Sequence, residues 1–200
     1  MAGPAYTRLD VDERRRRLLA LGAELFTEHS YHELSMARIA RAAGISKALL
    51  YHYFPSKEAY FMATLEEKAA ELAERTRPDP AQPPVEQLTS SLDAYLAWIE
   101  ENVVAYQKFV QSAGAVPQVR ALLDRVRDET AARIVDGIRG DAPAAPPLRA
   151  AVRGWLWFMD GVILDWLEHR DMDRPRVQGL LLGTLLGAVT ASGEAGALAG

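Results

Sequence analysis

The sequence predicts an all-α fold. Apolar residues recur at the three- and four-residue spacing of amphipathic helices, and no stretch alternates as a half-buried strand does. Proline-rich stretches at residues 77–84, 115–117 and 141–147 interrupt this pattern, because proline ends a helix. The spacing therefore predicts about nine helices. They are expected near residues 10–29, 35–43, 47–53, 56–76, 84–112 with an internal break, 118–140, 147–170 and 173–191.

The first predicted helix carries an apolar stripe and a run of arginines. The stripe consists of Leu18, Leu21, Leu25 and Phe26. The arginines occupy residues 14–17, and neighbouring residues point around most of a helix, so at most two of the four guanidinium groups face any one partner. Either those arginines contact phosphates, or the run solvates the first turn of the helix.

The next two predicted helices are short and are joined by a turn of few residues. Ser35 is placed to cap the first helix, Gly44 to end it in the left-handed conformation, and Ser46 to cap the second helix. Two short helices joined by a glycine-containing turn are typical of a helix-turn-helix. In that arrangement the second helix enters the major groove of DNA and the first crosses the backbone.

The second short helix divides into a packing side and an outward side. Ile45, Leu50 and Phe54 are expected to face the interior. The outward side then presents groups that neutralise phosphate, allow close approach to bases or contact a thymine methyl. These residues are Lys47, Ala48, Leu49, Tyr51 and His52. The alternative is that the aromatic residues 51–53 are half-buried members of a small helical bundle.

The tract LSMARIARAAGISKALLYHYFPSKEAYFMATLE, residues 34–66, resembles the DNA-binding domain of the TetR family of transcriptional regulators. The preceding tract LLALGAELFTEHSYHELS resembles the lead helix of the same domain, and the resemblance spans about residues 12–66. Its order of Gly-Ile-Ser-Lys, Leu-Tyr-x-Tyr-Phe and Ser-Lys-Glu is more specific than a helix-turn-helix pattern alone.

The resemblance implies a set of DNA contacts in the N-terminal part of the chain. The residues implied are Ser35, Arg38, Lys47, Ala48, Leu49, Tyr51, His52, Tyr53 and Lys57. Those at 35 and 38 would meet phosphates or base edges, those from 47 to 52 the major groove, and Tyr53 and Lys57 the backbone phosphates. The helix that begins after Ser56 adds a partial positive charge suited to a phosphate oxygen. Ala37 stands where some members of the family carry a base-reading side chain, so no base-specific role is assigned to it.

A division into two domains follows from the motif and the first proline-rich stretch. Residues 1–57 are expected to form the helix-turn-helix DNA-binding domain, with 1–9 as a flexible arm, and residues 58–200 the larger helical domain, with helix 56–76 as the link. Residues 1–57 hold nine Lys or Arg against six Asp or Glu, whereas residues 58–200 hold fourteen against twenty-one. A cationic head on an anionic body fits a nucleic-acid reader joined to a second function.

All four tryptophans lie in the predicted body of the protein. Aromatic residues at helical spacing are usually core, yet Trp155, Trp157 and Phe158 point to more than one side of their helix. The family resemblance implies a small-molecule pocket between the middle helices. The candidates to line it are Tyr95, Trp98, Ile99, Tyr106, Phe109, Val110, Leu122, Trp155, Phe158 and Met159.

Asp160 and Asp165 lie within the same aromatic helix. A carboxylate beside tryptophan rings either holds a cationic ligand, since the rings also attract cations, or faces solvent or pairs with an arginine. The sequence leaves these alternatives open.

The last two predicted helices are expected to form the dimer interface. Gly179, Gly183 and Gly187 recur every four residues on an otherwise apolar helix, which lets another helix approach closely. Together with Trp166 they are the predicted interface residues. A four-helix dimer bundle built from the last two helices of each copy is the arrangement that the family resemblance suggests.

The composition excludes several classes of protein. With 49% apolar and 25% charged residues the chain is expected to fold, and without cysteine it has no disulfide or thiolate chemistry. Its longest apolar run, residues 179–189, is shorter than the roughly 20 residues of a membrane span, so a cytoplasmic protein is expected. The histidines form no His-Glu-x-x-His pair, and His29 with His32 lacks a second pair of ligands. Neither an enzyme, a metal site nor a cofactor is expected.

These features together predict a homodimeric transcriptional regulator with the fold that the resemblance implies. The expected activity is repression at a palindromic double-stranded DNA operator, with release by an apolar or aromatic small-molecule effector. The alternatives are an activator of the same fold and a helical interaction module without specific DNA binding.

Overall fold

A computed structural model describes residues 8–114, 116–139 and 145–194, with side chains from residue 11 onward. The described residues form nine α-helices and no strand, which confirms the all-α prediction. The helices are α1 Arg8–Glu28, α2 Met36–Ala42, α3 Lys47–Tyr53, α4 Lys57–Arg75, α5 Pro84–Glu101, α6 Val103–Ala113, α7 Pro117–Arg139, α8 Pro146–His169 and α9 Arg174–Ala191. The predicted break within 84–112 falls at Asn102, and most of the predicted N-terminal arm lies outside the described residues.

The chain divides into two compact units, one up to Glu71 and one from Leu72 onward. In the first unit, the apolar sides of α1, α2 and α3 meet α4 around one core. Its buried residues are Leu18, Leu19, Leu25, Leu34, Met36, Ile39, Ala40, Leu50, Phe54 and Tyr60. Ile45 is half-buried against this core, so the three residues predicted to form the packing side of α3 all face inward.

Helices α1 and α4 approach each other closely at Gly22. A methyl group at this position would lie 2.5 Å from Thr64 Oγ1 and 2.8 Å from Tyr60 Oη. The Tyr60 hydroxyl is buried and donates to the carbonyl of Leu18 at 2.5 Å. The helix pair therefore depends on a residue without a side chain at position 22.

The second unit contains helices α5 to α9 around a larger core, with α8 packed on both α7 and α9. Two indole N–H groups of α8 donate to backbone carbonyls, one on α9 and one in the connection that precedes it. Trp155 Nε1 donates to the carbonyl of Leu181 at 2.9 Å, and Trp166 Nε1 donates to that of Met172 at 2.8 Å. Arg170 ends α8 in the left-handed conformation, φ 54°, and the Asp173 carboxylate caps α9.

Among the described residues, no helix is long and apolar enough to cross a membrane.

Candidate nucleic-acid interface

The turn between α2 and α3 is built from the caps that the sequence predicts. Ser35 Oγ accepts from the N–H of Arg38 at 3.2 Å and so caps α2. Gly44 has φ +65°, and the N–H of Ile45 returns to the carbonyl of Ala40 at 3.0 Å, which closes α2 as a Schellman motif. Ser46 Oγ then accepts from the N–H of Leu49 at 3.1 Å and caps α3. The local sequence thus fixes where both helices end.

Helix α3 presents one side to solvent, and we call this side the reading face. It consists of the exposed residues Lys47, Ala48, Tyr51 and His52, together with the half-buried Leu49. The Tyr51 side chain is 43% exposed, and Lys47 Nζ lies 5.7 Å from the centroid of its ring. Leu50, on the opposite side, is completely buried.

The electrostatics of this segment suit a polyanion. Between residues 34 and 57 the chain contains Arg38, Arg41, Lys47 and Lys57 and no Asp or Glu. At the start of α4, Ser56 Oγ accepts from the N–H of Ala59 at 3.0 Å, and the first N–H groups of this 19-residue helix give a partial positive charge. A cationic segment of this kind attracts phosphate oxygens.

The structure also gives two of the implied phosphate-binding residues a role in packing. Tyr53 is half-buried against the core. Lys57 Nζ donates to the carbonyls of Tyr31 and Leu34 at 2.8 and 3.0 Å and lies 4.1 Å from the centroid of the Tyr31 ring. An ammonium group has three donors, so one remains for a phosphate. Sequence reasoning missed this anchor because its acceptors are backbone carbonyls more than twenty residues away.

Arg38 is exposed, and its Nη2 lies 2.8 Å from His29 Nε2, a contact that the sequence did not indicate.

The arginines at positions 14–17 of α1 point in different directions, as expected: the Arg15 guanidinium lies 5.6 Å from the centroid of the Phe54 ring, and Arg17 pairs with Glu13. The described residues contain no group of three His, Cys, Asp or Glu side chains that could hold a metal ion.

In the second unit, most of the predicted pocket residues come together. Trp98, Ile99, Tyr106, Trp155 and Met159 are buried in one cluster, and Tyr95 and Val110 pack against it. Leu122 is buried outside that cluster, and Phe109 is half-buried. Phe158 differs from the rest because its side chain is 41% exposed.

Four side chains from four helices form a largely buried hydrogen-bonded cluster, which we call the polar network. Arg127 Nη2 and Nε lie 2.5 and 3.1 Å from Asp160 Oδ2. The Tyr106 hydroxyl donates to Asp160 Oδ1 at 3.5 Å, and the hydroxyls of Tyr106 and Tyr95 hydrogen-bond each other. Of the alternatives left open for Asp160, the structure favours pairing with an arginine, here one of the same chain. Asp165 is exposed and pairs with His169.

Burial governs the ionisation of the polar network. It raises the pKa of the Asp160 carboxyl, and the hydrogen bond and charge of Arg127 oppose that increase. It also raises the pKa of both tyrosine hydroxyls, so they stay neutral donors. The Arg127 guanidinium also lies 4.0 Å from the centroid of the Trp157 ring. Arg127 therefore makes a cation–π contact in addition to its ion pair with Asp160.

Helices α8 and α9 leave an apolar surface uncovered. The three glycines of α9 are exposed, and a methyl group at any of them would meet nothing within 4 Å. Leu180 is 42% exposed on α9, and Trp157 is 60% exposed on α8. Trp166 does not share this surface: it is 1% exposed and faces the core with Ile163. Its burial argues against the predicted interface role, because a buried side chain offers a partner no area.

Two family models match this chain. The model described as "Bacterial regulatory proteins, tetR family" matches residues 18–64, and the model described as "Tetracyclin repressor-like, C-terminal domain" matches residues 84–187. The two matched segments include the reading face and nearly all of the polar network's unit.

Curated proteins and solved structures give the same result. The chain is 31% identical over 142 residues to the HTH-type transcriptional activator FasR of Mycolicibacterium smegmatis. The aligned residues cover 68% of this chain and 63% of FasR, so the match spans less than two thirds of that relative's length. It is 27% identical over 180 residues to the HTH-type transcriptional regulator YhgD of Bacillus subtilis, covering 84% of this chain and 93% of that one. A tetR-family transcriptional regulator from Streptomyces coelicolor superposes with a TM-score of 0.79 and 29% identity, covering 94% of this chain and 86% of the other.

Proposed function

The chain belongs to the TetR family of bacterial transcriptional regulators, and we propose that it represses transcription from a palindromic operator until a small-molecule effector releases it. Like the relatives that it matches, it is a DNA-binding regulator and not an enzyme. In this proposal residues 1–57 read DNA, residues 58–200 bind the effector and a second copy, helix 56–76 links the two parts, and the protein works in the cytoplasm.

The reading face is the observation that carries this proposal. The exposed tyrosine, histidine and lysine of this seven-residue helix are not needed to fill the core, since Leu50 and Phe54 fill it on the other side. Lys47 and Tyr51 are the side chains with the reach and the hydrogen-bonding groups to contact phosphates or base edges. Ala48 lets the helix come close to the bases, and the cationic, carboxylate-free segment around it favours approach to DNA.

Homodimerisation is proposed to occur through the uncovered surface of α8 and α9. The glycine stripe of α9 allows a second backbone to approach, and Trp157 and Phe158 of α8 and Leu180 of α9 supply exposed apolar area. Four helices from two copies would cover this area as a bundle. A dimer would present two reading faces to half-sites about one helical turn, or a multiple of it, apart.

Release then requires only that the effector bind one state of the dimer better than the other. The size of the response equals the difference in the effector's affinity for the DNA-competent state and for a state whose half-site spacing fits the operator poorly. The cluster around Tyr95, Trp98 and Tyr106 is the proposed place of binding, because it combines apolar area with buried polar atoms.

Activation of transcription is the second candidate, favoured by one observation: the relative FasR is described as an activator. The same reading face would serve it, since the helix-turn-helix positions a protein on DNA without specifying its effect on polymerase. A transcription assay from the bound promoter, with and without the protein, distinguishes the two.

The DNA-binding proposal is tested by selecting bound sequences from a random duplex pool and measuring affinity for the selected operator. Lys47→Ala and Tyr51→Ala are each expected to weaken binding about tenfold, the scale of one lost base or phosphate contact. Lys68→Ala is the matched control, because Lys68 lies on α4 in the same unit and pairs with Glu71 at the surface. Its affinity should equal that of the wild type.

Salt dependence separates a specific regulator from an interaction module. The logarithm of operator affinity should fall steeply with the logarithm of salt concentration, since several phosphates are neutralised. Lys47→Ala should reduce that slope by about one phosphate if its ammonium contacts the backbone. Selection of no sequence, with weak and salt-insensitive binding to every duplex, would disprove the proposal.

A further inference from the structure

Trp98 is a buried tryptophan whose N–H group has no hydrogen-bond partner. Its side chain is 7% exposed within the core of the second unit, and none of the residues that the structure describes places an acceptor within reach of Nε1. The other two buried tryptophans differ, since Trp155 and Trp166 each donate to a backbone carbonyl. An indole N–H is a donor only, and a buried donor left unpaired destabilises the fold, so this atom calls for an acceptor that the described residues do not supply.

A second unpaired atom lies on the same side of α5. Ser91 Oγ is buried without a partner, and residues 91, 95 and 98 follow each other at the four- and three-residue spacing of one helix stripe. Seven residues of helix place the Cα atoms of Ser91 and Trp98 about 10 Å apart along the axis. Between them stands Tyr95, whose hydroxyl belongs to the polar network. One stripe of α5 therefore presents three polar groups to an apolar core.

The charge of the surroundings limits what could bind there. Asp160 and Arg127 are the ionisable partners of the polar network's tyrosines, and they neutralise each other. Asp124, which also contacts Arg127, is exposed to solvent. A charged ligand in this cluster would be desolvated at high cost, and the two charges of the polar network, Arg127 and Asp160, already pair with each other and do not offer it a counter-ion. An ordered water is a poor substitute, since buried waters need two or more polar partners.

We infer that the Trp98 N–H is the recognition point for an uncharged, largely apolar effector that carries a carbonyl oxygen, such as a ketone, ester, lactone or amide. This inference rests on the proposed function and specifies the chemical class of its effector. The carbonyl oxygen of the effector accepts a hydrogen bond from Trp98 Nε1, and its apolar part packs against the apolar side chains of the core. On a longer effector, a second polar group reaches Ser91 or the Tyr95 hydroxyl.

The test uses the full chain and four matched probes: acetophenone, ethylbenzene, benzoate and phenyltrimethylammonium. Their binding is followed through the indole N–H signals in two-dimensional ¹H–¹⁵N spectra, with the signal of Trp98 assigned by its loss in Trp98→Phe. Acetophenone is expected to shift that signal downfield, and ethylbenzene, which lacks the acceptor, to leave it in place. Affinities are measured separately by isothermal titration calorimetry, in which Trp98→Phe should weaken acetophenone binding about tenfold and leave ethylbenzene binding unchanged.

Trp166→Phe is the matched control, because it removes an indole N–H that already has a partner. It should lower the midpoint of thermal unfolding and leave acetophenone affinity unchanged, whereas Trp98→Phe should not lower the midpoint. The inference is overturned if the Trp98 signal responds to none of the probes. That result is expected if an ordered water or a void, rather than a ligand site, lies beside Trp98 Nε1. Tighter binding of benzoate or of the ammonium probe than of acetophenone also overturns it.

Operator binding is measured separately, so that the two proposals fail in distinguishable ways. Acetophenone should weaken operator binding by the wild type and not by Trp98→Phe; probe binding at Trp98 without any effect on the operator would overturn the effector role. Absence of a specific operator would instead refute the proposed function, while the indole titration would still decide the ligand chemistry.

Discussion

The reading face and the polar network differ in how far apart their residues stand in the sequence. Every residue of the reading face lies within six consecutive positions of α3, whereas Tyr95, Tyr106, Arg127 and Asp160 come from four helices. The first surface is therefore determined by local structure, by two caps and a turn. The second exists only once α5, α6, α7 and α8 have packed.

The two regions also differ in how much the loss of a polar group should destabilise the fold. Lys47 and His52 are solvated, so changing them should alter binding to DNA and hardly affect folding. Arg127 and Asp160 have side chains only 15% and 14% exposed, and removing either partner leaves the other desolvated. Mutations in the reading face should therefore weaken DNA binding without lowering stability. Mutations in the polar network should lower the stability of the fold first.

The largest effect is expected for Arg127→Met, which leaves the Asp160 carboxyl buried without its cation. The free energy of unfolding should fall by about 3 kcal/mol at pH 7, as measured by denaturant unfolding at fixed protein concentration. The control is Arg153→Ala, since the pair of Arg153 with Asp128 is mostly exposed and should contribute less than about 1 kcal/mol. Equal losses for the two variants would show that the polar network is not a desolvated site.

The pH dependence of Arg127→Met follows from the sign of the Asp160 shift. Burial already holds the pKa of this carboxyl above its ordinary value, and loss of Arg127 raises it further. A group with a raised folded-state pKa stabilises the fold below its unfolded-state pKa, near 4, and that contribution is lost as pH rises through the folded-state pKa. The deficit of the variant against the wild type should therefore be small near pH 4 and grow toward neutral pH. A constant deficit would exclude the carboxylate as its cause.

The second effect compares one glycine from each unit. Gly22→Ala places a methyl group against Thr64 and Tyr60, so the free energy of unfolding should fall by about 2 kcal/mol, the usual cost of overpacking. Gly137→Ala, on the open side of α7, meets nothing and should raise it by roughly 0.5 kcal/mol through helix propensity. Thermal and denaturant unfolding of both variants check the opposite signs. A stabilised Gly22→Ala would mean that α1 and α4 are not in close contact.

The fold was predictable because its signals are local. Helical spacing, proline positions and the caps at Ser35, Ser46 and Gly44 determine where the helices begin and end without reference to distant residues. A break somewhere within residues 84–112 and the packing side of α3 were also predicted, and the structure places that break at Asn102. The TetR family was recognisable because its motif occupies one continuous tract, and the family models confirm it.

The contacts that were missed are those between residues distant in the chain. Lys57 anchors on carbonyls of the α1–α2 connection, and Arg127 finds its carboxylate 33 residues further on. Neither pairing leaves a periodic signal in the sequence. Trp166 was predicted to lie in the dimer interface, whereas its side chain packs into the core of the second unit, a placement that depends on how the distant helices pack.

The smallest effect compares two helix caps and tests whether the reading face depends on local structure alone. Ser46→Ala removes the acceptor for the N–H of Leu49, and Asp173→Ala removes the acceptor for that of Arg176. Each should lower the free energy of unfolding by about 1 kcal/mol, the usual contribution of a cap. Only Ser46→Ala should also weaken operator binding, because α3 has seven residues and depends on its cap to hold Lys47 and Tyr51 in register, whereas α9 has eighteen. Gel-shift titration beside denaturant unfolding measures both quantities. If the two variants lose operator affinity equally, the reading face is held by the packing of the whole protein, and the contrast between the two regions is weaker than their sequences suggest.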